Sequence, residues 1–186
     1  MTKPRIALIS GSTRTGSINK NLVNAMAHEF KDLGASPVKI DLSKYDMPIY
    51  NGDYEAENGV PKSAKNLIRR LKNCEGVFIA TPEYNGCLPA LLKNTIDWTT
   101  RVEMGQFTTP IYGIGAATPG GLSGIMALKQ LHFILTRLGA NIVSSGLGVG
   151  FAGKAFDNKG RLIEERTAAR AQSLAAKMLD EIARRP

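Results

Sequence analysis

The segment Gly11-Ser12-Thr13-Arg14-Thr15-Gly16-Ser17-Ile18-Asn19 gathers four hydroxyl side chains and one guanidinium. That set suits a phosphate. Ser12, Thr13, Thr15 and Ser17 can donate to oxyanions, and Arg14 offers a charged fork matched to phosphate oxygens. The segment separates an apolar run from a helical pattern, so a helix N-terminus with unpaired N–H groups would face the same anion. Gly11 and Gly16 have the spacing of a triphosphate-binding loop. However, Ser17 stands where its lysine belongs and Ile18 where its magnesium-binding hydroxyl belongs. The segment is not GxGxxG either. It points to a phosphate monoester held without metal, and away from NTP hydrolysis. The plainer alternative is an ordinary helix start capped by Ser17, although capping needs one hydroxyl rather than four and an arginine.

Two further segments invite chemistry. Thr81-Pro82-Glu83-Tyr84-Asn85-Gly86 follows a buried apolar run. A loop bounded by Pro and Gly can give a flat heterocycle both an apolar wall and in-plane backbone partners. A structural turn explains it equally well, and Glu83 has no second carboxylate or histidine beside it to make an acid–base pair. Ala117-Thr118-Pro119-Gly120-Gly121 lets the backbone approach a ligand closely. The helix after it should present another positive end, able to stabilise negative charge on a reduced ring. Metal chemistry is not indicated: Cys74 and Cys87 lack CxxC spacing, and His28 and His132 have no ligand partners nearby.

The elements that must position these loops alternate in period. Arg5–Ile9 and Gly76–Ala80 are short continuous apolar runs, as expected of strands buried on both faces. Pro37–Ile40, Pro110–Gly115 and Asn141–Val143 supply three more strands. Helical spacing runs from Asn19 to Phe30, from Pro61 to Leu71, from Pro89 to about Trp98, from Met126 to Leu138, and from Leu162 to Ile182. Five strands alternating with five helices predict one α/β domain over residues 1–186, a doubly wound parallel sheet covered on both faces. Ligands in such folds sit beyond the carboxyl ends of the strands, which is where the three loops fall. Asp41–Val60 is a long connection and reads as a functional loop. Its Tyr45, Tyr50 and Tyr54 suit either a substrate pocket or a packed surface. Asp97 is spaced to pair with Arg101 at i,i+4, Trp98 reads as core or subunit contact, and His132 reads as structural.

The combination GSTRTGSIN, then TPEYNGCLPALLKNTIDW, then a Gly-rich fourth loop resembles the NADPH-dependent FMN reductase family, which includes chromate and quinone reductases and azoreductases. The similarity runs from Arg5 to about Val143, and the PEYNG–LKN–DW spacing is its specific part. Cys87 stands where the family pattern has a small residue such as Ser or Ala. The resemblance implies a flavodoxin-like fold of strand order 2-1-3-4-5, noncovalent FMN, and a homodimer or homotetramer. By position, Ser12, Arg14, Ser17, Ile18 and Asn19 would cradle the FMN phosphate. Pro82, Glu83, Tyr84 and Asn85 would hold the isoalloxazine ring, and Thr118, Gly120 and Gly121 its pyrimidine side. It further implies ping-pong hydride transfer from NADPH or NADH to quinones, azo compounds, chromate-like oxyanions or free flavin. The cofactor carries that chemistry, so no catalytic side chain is required.

Composition narrows the rivals. Lys+Arg 24 against Asp+Glu 16 gives a net charge of +8, which favours anionic partners. A nucleic-acid partner is not expected, because aromatics are 6% of the chain and do not interleave with the basic residues. The densest basic group, Lys62, Lys65, Arg69, Arg70 and Lys72, reads as a solvated helix face. An FMN-binding electron carrier without NAD(P)H turnover is the second reading, and the basic balance disfavours it, since flavodoxins tend to be strongly acidic. The opening MTKPRIALIS is too short for a signal sequence, and no apolar stretch is long enough to span a bilayer. A cytoplasmic location is the expectation.

Overall fold

The computed structural model describes residues 3–143 and 146–185. Met1, Thr2 and Pro186, which belong to the terminal runs and domain bounds read above, lie outside the described residues. In chain order the elements are β1 (Arg5–Ser10), α1 (Ile18–Asp32), β2 (Ser36–Ile40), α2 (Gly52–Asn58), α3 (Lys62–Leu71), β3 (Gly76–Thr81), α4 (Ala90–Thr100), α5 (Gly105–Thr108), β4 (Ile111–Ala117), α6 (Ile125–Arg137), β5 (Asn141–Ile142), β6 (Leu147–Val149) and α7 (Glu165–Ala183). All pairing within the sheet is parallel, in the order β2-β1-β3-β4-β5. Among the described residues no helix is long and apolar enough to cross a membrane.

Strand alternation builds a core on each face. Ala7, Ile9, Val77, Ile79, Tyr112 and Ile114 point to one side, where α3, α4 and α6 cover them with Leu67, Ile68, Leu92, Ile96, Leu131 and Leu135. Ile6, Leu8, Phe78 and Ala80 point to the other, against Leu22, Met26 and Phe30 of α1 and Leu174 and Met178 of α7. Burial on both faces is why β1 and β3 read as unbroken apolar runs. Register brings Ser10 beside Ala80 and Thr81 beside Ala116, so the loops after β1, β3 and β4 leave one edge of the sheet together.

Three expectations change. The fifth strand is split: β5 pairs only with Ile111 and Tyr112, and β6 pairs with Gly115–Ala117 further along the same strand. The long Asp41–Val60 connection contains α2 and a short 3₁₀ turn at Leu42–Lys44. Arg101 does not pair with Asp97. It pairs with Glu55 of α2 at 2.9 Å, while Asp97 pairs with Lys93 at 2.6 Å. Of the loop tyrosines, Tyr50 and Tyr54 pack, meeting Trp98 edge-on with ring centroids at 5.0 and 6.0 Å.

One glycine is dictated by tertiary packing. Gly124, at the start of α6, is left-handed (φ 71°), and a Cβ there would lie 2.6 Å from Cβ of Ala116. Gly124→Ala combines left-handed strain with overpacking and should cost about 2 kcal/mol. A thermal melt should show a fall in Tm of roughly 5 °C for a domain of this size. Gly52→Ala is the control: its φ is ordinary and nothing lies within 4 Å of the new Cβ, so an equal loss there would contradict the packing account.

Candidate functional site

The loop after β1 is tied down at its start and open at its end. Gly11 N–H donates to Ala80 O at 2.8 Å, fastening the loop to β3. Ser12 N–H donates to Ser10 Oγ at 3.2 Å, and Lys20 Nζ donates to Thr13 O at 3.0 Å. Ser17 occupies the cap position of α1, but its side chain makes no capping bond. The residue is 3% exposed, and it lines the cavity described below with its hydroxyl free of that duty. Among the described residues the N–H groups of Ile18 and Asn19 have no backbone partner, as expected in the first turn of a helix. Arg14 is exposed and makes no ion pair among the described residues. The loop therefore ends in unpaired N–H donors, an uncommitted hydroxyl and a free guanidinium.

The loop after β3 is a tight hairpin. Tyr84 and Cys87 exchange backbone hydrogen bonds of 2.9 and 3.0 Å. The two residues between them, Asn85 (φ 53°) and Gly86 (φ 75°), are both left-handed, the primed turn that Asn-Gly favours. Thr81 Oγ1 donates to Pro82 O at 2.9 Å. Glu83 reaches across to α6, where one carboxylate oxygen accepts from Met126 N–H at 2.9 Å and Ala127 N–H at 3.0 Å. The positive end of α6, expected to be open to a ligand, is thus engaged by Glu83.

The loop after β4 is braced by the stretch beyond β6. Thr118 N–H donates to Val149 O and Ala152 N–H to Thr118 O, both at 3.0 Å. Gly120 O accepts from Phe151 N–H at 3.3 Å, and Gly121 lies beneath the Phe151 ring, where a Cβ would approach to 3.0 Å. Phe151 is left-handed (φ 47°) and 73% exposed.

These loops close on one cavity of about 260 Å³. Of the residues predicted for the site, Ser12, Arg14, Ser17, Ile18, Asn19, Pro82, Glu83, Tyr84 and Thr118 line it, and Ala117 and Pro119 join them. Asn85, Gly120 and Gly121 do not line it: Asn85 forms the hairpin tip, Gly120 O bonds Phe151 N–H, and Gly121 lies beneath the Phe151 ring. Asn19 has a second duty. Its side-chain amide donates to Ala117 O at 2.9 Å and accepts from Ala117 N–H at 3.0 Å, pinning α1 to the end of β4. Only its N–H remains for a ligand. Sequence reading missed Gln130 of α6, which donates to Gly86 O and accepts from Leu88 N–H, both at 3.2 Å. No local pattern marks it, since its partners lie more than 40 residues away.

This sheet order and the edge on which the loops meet define a flavodoxin-like fold. The match extends to sequence: residues 4–154 fit the family described as NADPH-dependent FMN reductase. Similar proteins include a quinone reductase of Escherichia coli, 29% identical with 89% of this chain and 88% of the relative covered. An NAD(P)H-dependent FMN reductase of Pseudomonas aeruginosa is 30% identical, with 85% and 84% covered. Among solved structures, the flavoenzyme NAD(P)H:(acceptor) oxidoreductase FerB of Paracoccus denitrificans superposes with a TM-score of 0.80 at 25% identity, covering 97% of each chain. The chain belongs to the NADPH-dependent FMN reductase family, oxidoreductases that use FMN and NAD(P)H.

Proposed function

We propose that the chain works as one domain that holds FMN noncovalently in the cavity and passes electrons from NAD(P)H to quinones. Azo compounds, chromate-like oxyanions and free flavin are further acceptors of the same kind. The observation that carries this reading is the 260 Å³ cavity, with a donor-rich helix start at one end and the Pro82–Tyr84 wall beside it. The residues fit the cofactor. A phosphate monoester needs several convergent donors and no cation, and the Ile18 and Asn19 N–H groups, the Ser12 and Ser17 hydroxyls and Arg14 supply them. Pro82 and Tyr84 give the ring an apolar and aromatic wall, while Thr118 and Pro119 bound its other side.

When bound, FMN supplies the redox chemistry, accepting a hydride from NAD(P)H and returning reducing equivalents to the second substrate. The side chains orient and bind. Tyr84, 53% exposed, leaves the cavity mouth open to a flat ligand. Nicotinamide and acceptor then use one place in turn, which is the ping-pong order. Arg14 and the net charge of +8 draw in anionic dinucleotide. The exposed apolar side chains of Ile125, Met126 and Phe133 on α6 support a homodimer or homotetramer, and the cytoplasm is the proposed location.

The visible absorption spectrum of the purified protein, repeated after anaerobic addition of NADPH, tests the reading. Flavin bands should be present, bleach with NADPH and recover with quinone. Bands that ignore both NADPH and NADH would leave a bare electron carrier, and a protein that takes up no FMN would overturn the proposal.

A further inference from the structure

Helix α6 begins without a cap of its own, because Gly124 at the cap position has no side chain to offer its first N–H groups. Glu83 supplies that cap from 43 residues earlier, bonding Met126 and Ala127 N–H. One turn further along α6, Gln130 grips the hairpin at Gly86 O and Leu88 N–H. Both grips fall within the first two turns of the helix. Tyr84 lies between them. The hairpin tip has little packing to hold it, since nothing lies within 4 Å of a Cβ built at Gly86.

We propose that Glu83 and Gln130 are positioning residues for the flavin ring: together they lock the Pro82–Tyr84 wall to α6. Glu83 also offsets the positive end of that helix at the cavity edge. This rests on the reading of the cavity as the FMN site. Two roles then separate by chemistry. Gln130 is neutral and acts through geometry alone. Glu83 acts through geometry and charge, because its carboxylate opposes the helix dipole that would otherwise favour the extra negative charge of reduced flavin.

The test compares wild type with E83Q, E83A and Q130A, using FMN titration by fluorescence, anaerobic determination of the midpoint potential, and thermal melts. E83Q keeps an acceptor oxygen, so FMN affinity should stay within roughly threefold while the potential shifts positive. E83A and Q130A should each weaken FMN by roughly tenfold, the loss of about one hydrogen-bonded anchor. Q130A should leave the potential at the wild-type value. A lowered Tm in all three variants, with unchanged FMN affinity and an unmoved E83Q potential, would reduce both residues to scaffolding and overturn the inference. If wild type itself takes up no FMN, the reading of the cavity fails instead.

Discussion

Ser17→Asp is expected to leave the fold intact and lower FMN affinity by about two orders of magnitude. The substitution separates folding from binding. Aspartate equals serine as a helix cap and complements the dipole, and the Ser17 side chain makes no capping bond that could be lost. The same carboxylate would sit among the donors assigned to the phosphate. A single charge against a phosphate dianion at about 4 Å costs roughly 2 kcal/mol even at the dielectric of water. Loss of the hydroxyl donor adds about 1 kcal/mol. Together these give about 3 kcal/mol, a hundredfold or somewhat more in the dissociation constant. Fluorescence titration of FMN together with a melt decides the matter: the expected result is a weakened titration with Tm equal to or above wild type. Arg14→Ala should act in the same direction with a smaller loss of about tenfold, because an exposed guanidinium keeps part of its hydration when bound. Unchanged FMN affinity in both variants would move the phosphate elsewhere.

The phosphate loop was legible because its evidence is local. Four hydroxyls and an arginine sit within one strand-to-helix turn, and the helix dipole acts on the same few atoms. β1 and β3 were legible for a related reason, since burial on both faces leaves an unbroken apolar run. What stayed hidden depends on contacts between distant segments. β6 is three residues long and contains Gly148, so it carries no period to read, and only its pairing with Gly115–Ala117 makes it a strand. α2 has no buried residue, and the Asn51 side chain that caps it looks like ordinary loop composition. The i,i+4 rule offered Asp97 to Arg101, but Glu55 of the folded loop, whose two carboxylate oxygens share the Arg101 Nε–H at 2.9 and 3.0 Å, was the better partner. Glu83 shows the same limit at the site itself. Its motif marks it as a ring contact, yet its carboxylate is committed to a helix that begins 42 residues later.

Trp98→Ala is the substitution expected to damage the fold most. Trp98 is 0% exposed. Its Nε1–H donates to Pro48 O at 2.7 Å, and its ring receives the edges of Tyr50 and Tyr54. The adjoining Asn94 amide donates to Pro48 O at 2.9 Å and accepts from Tyr50 N–H at 2.8 Å, so one stretch of α4 carries the whole 47–55 segment. Truncation leaves a cavity the size of an indole, removes one of the two hydrogen bonds to Pro48 O, and deprives two tyrosines of their platform. Such a loss costs about 4 kcal/mol, a large share of the 5–15 kcal/mol typical of a whole domain. Tm should fall by roughly 10 °C. Trp98→Phe keeps an aromatic surface for the tyrosines and forfeits the Pro48 bond, so it should cost about 1–2 kcal/mol. Trp98 does not line the cavity, and it lies two turns along α4 from Pro89, where that helix leaves the second loop. FMN binding measured well below the melt should therefore survive in both variants. Tyr54 is 38% exposed, and Tyr54→Ala should cost far less than Trp98→Ala. Equal losses would mean that the loop is held by its own contacts, and that the indole is not its anchor.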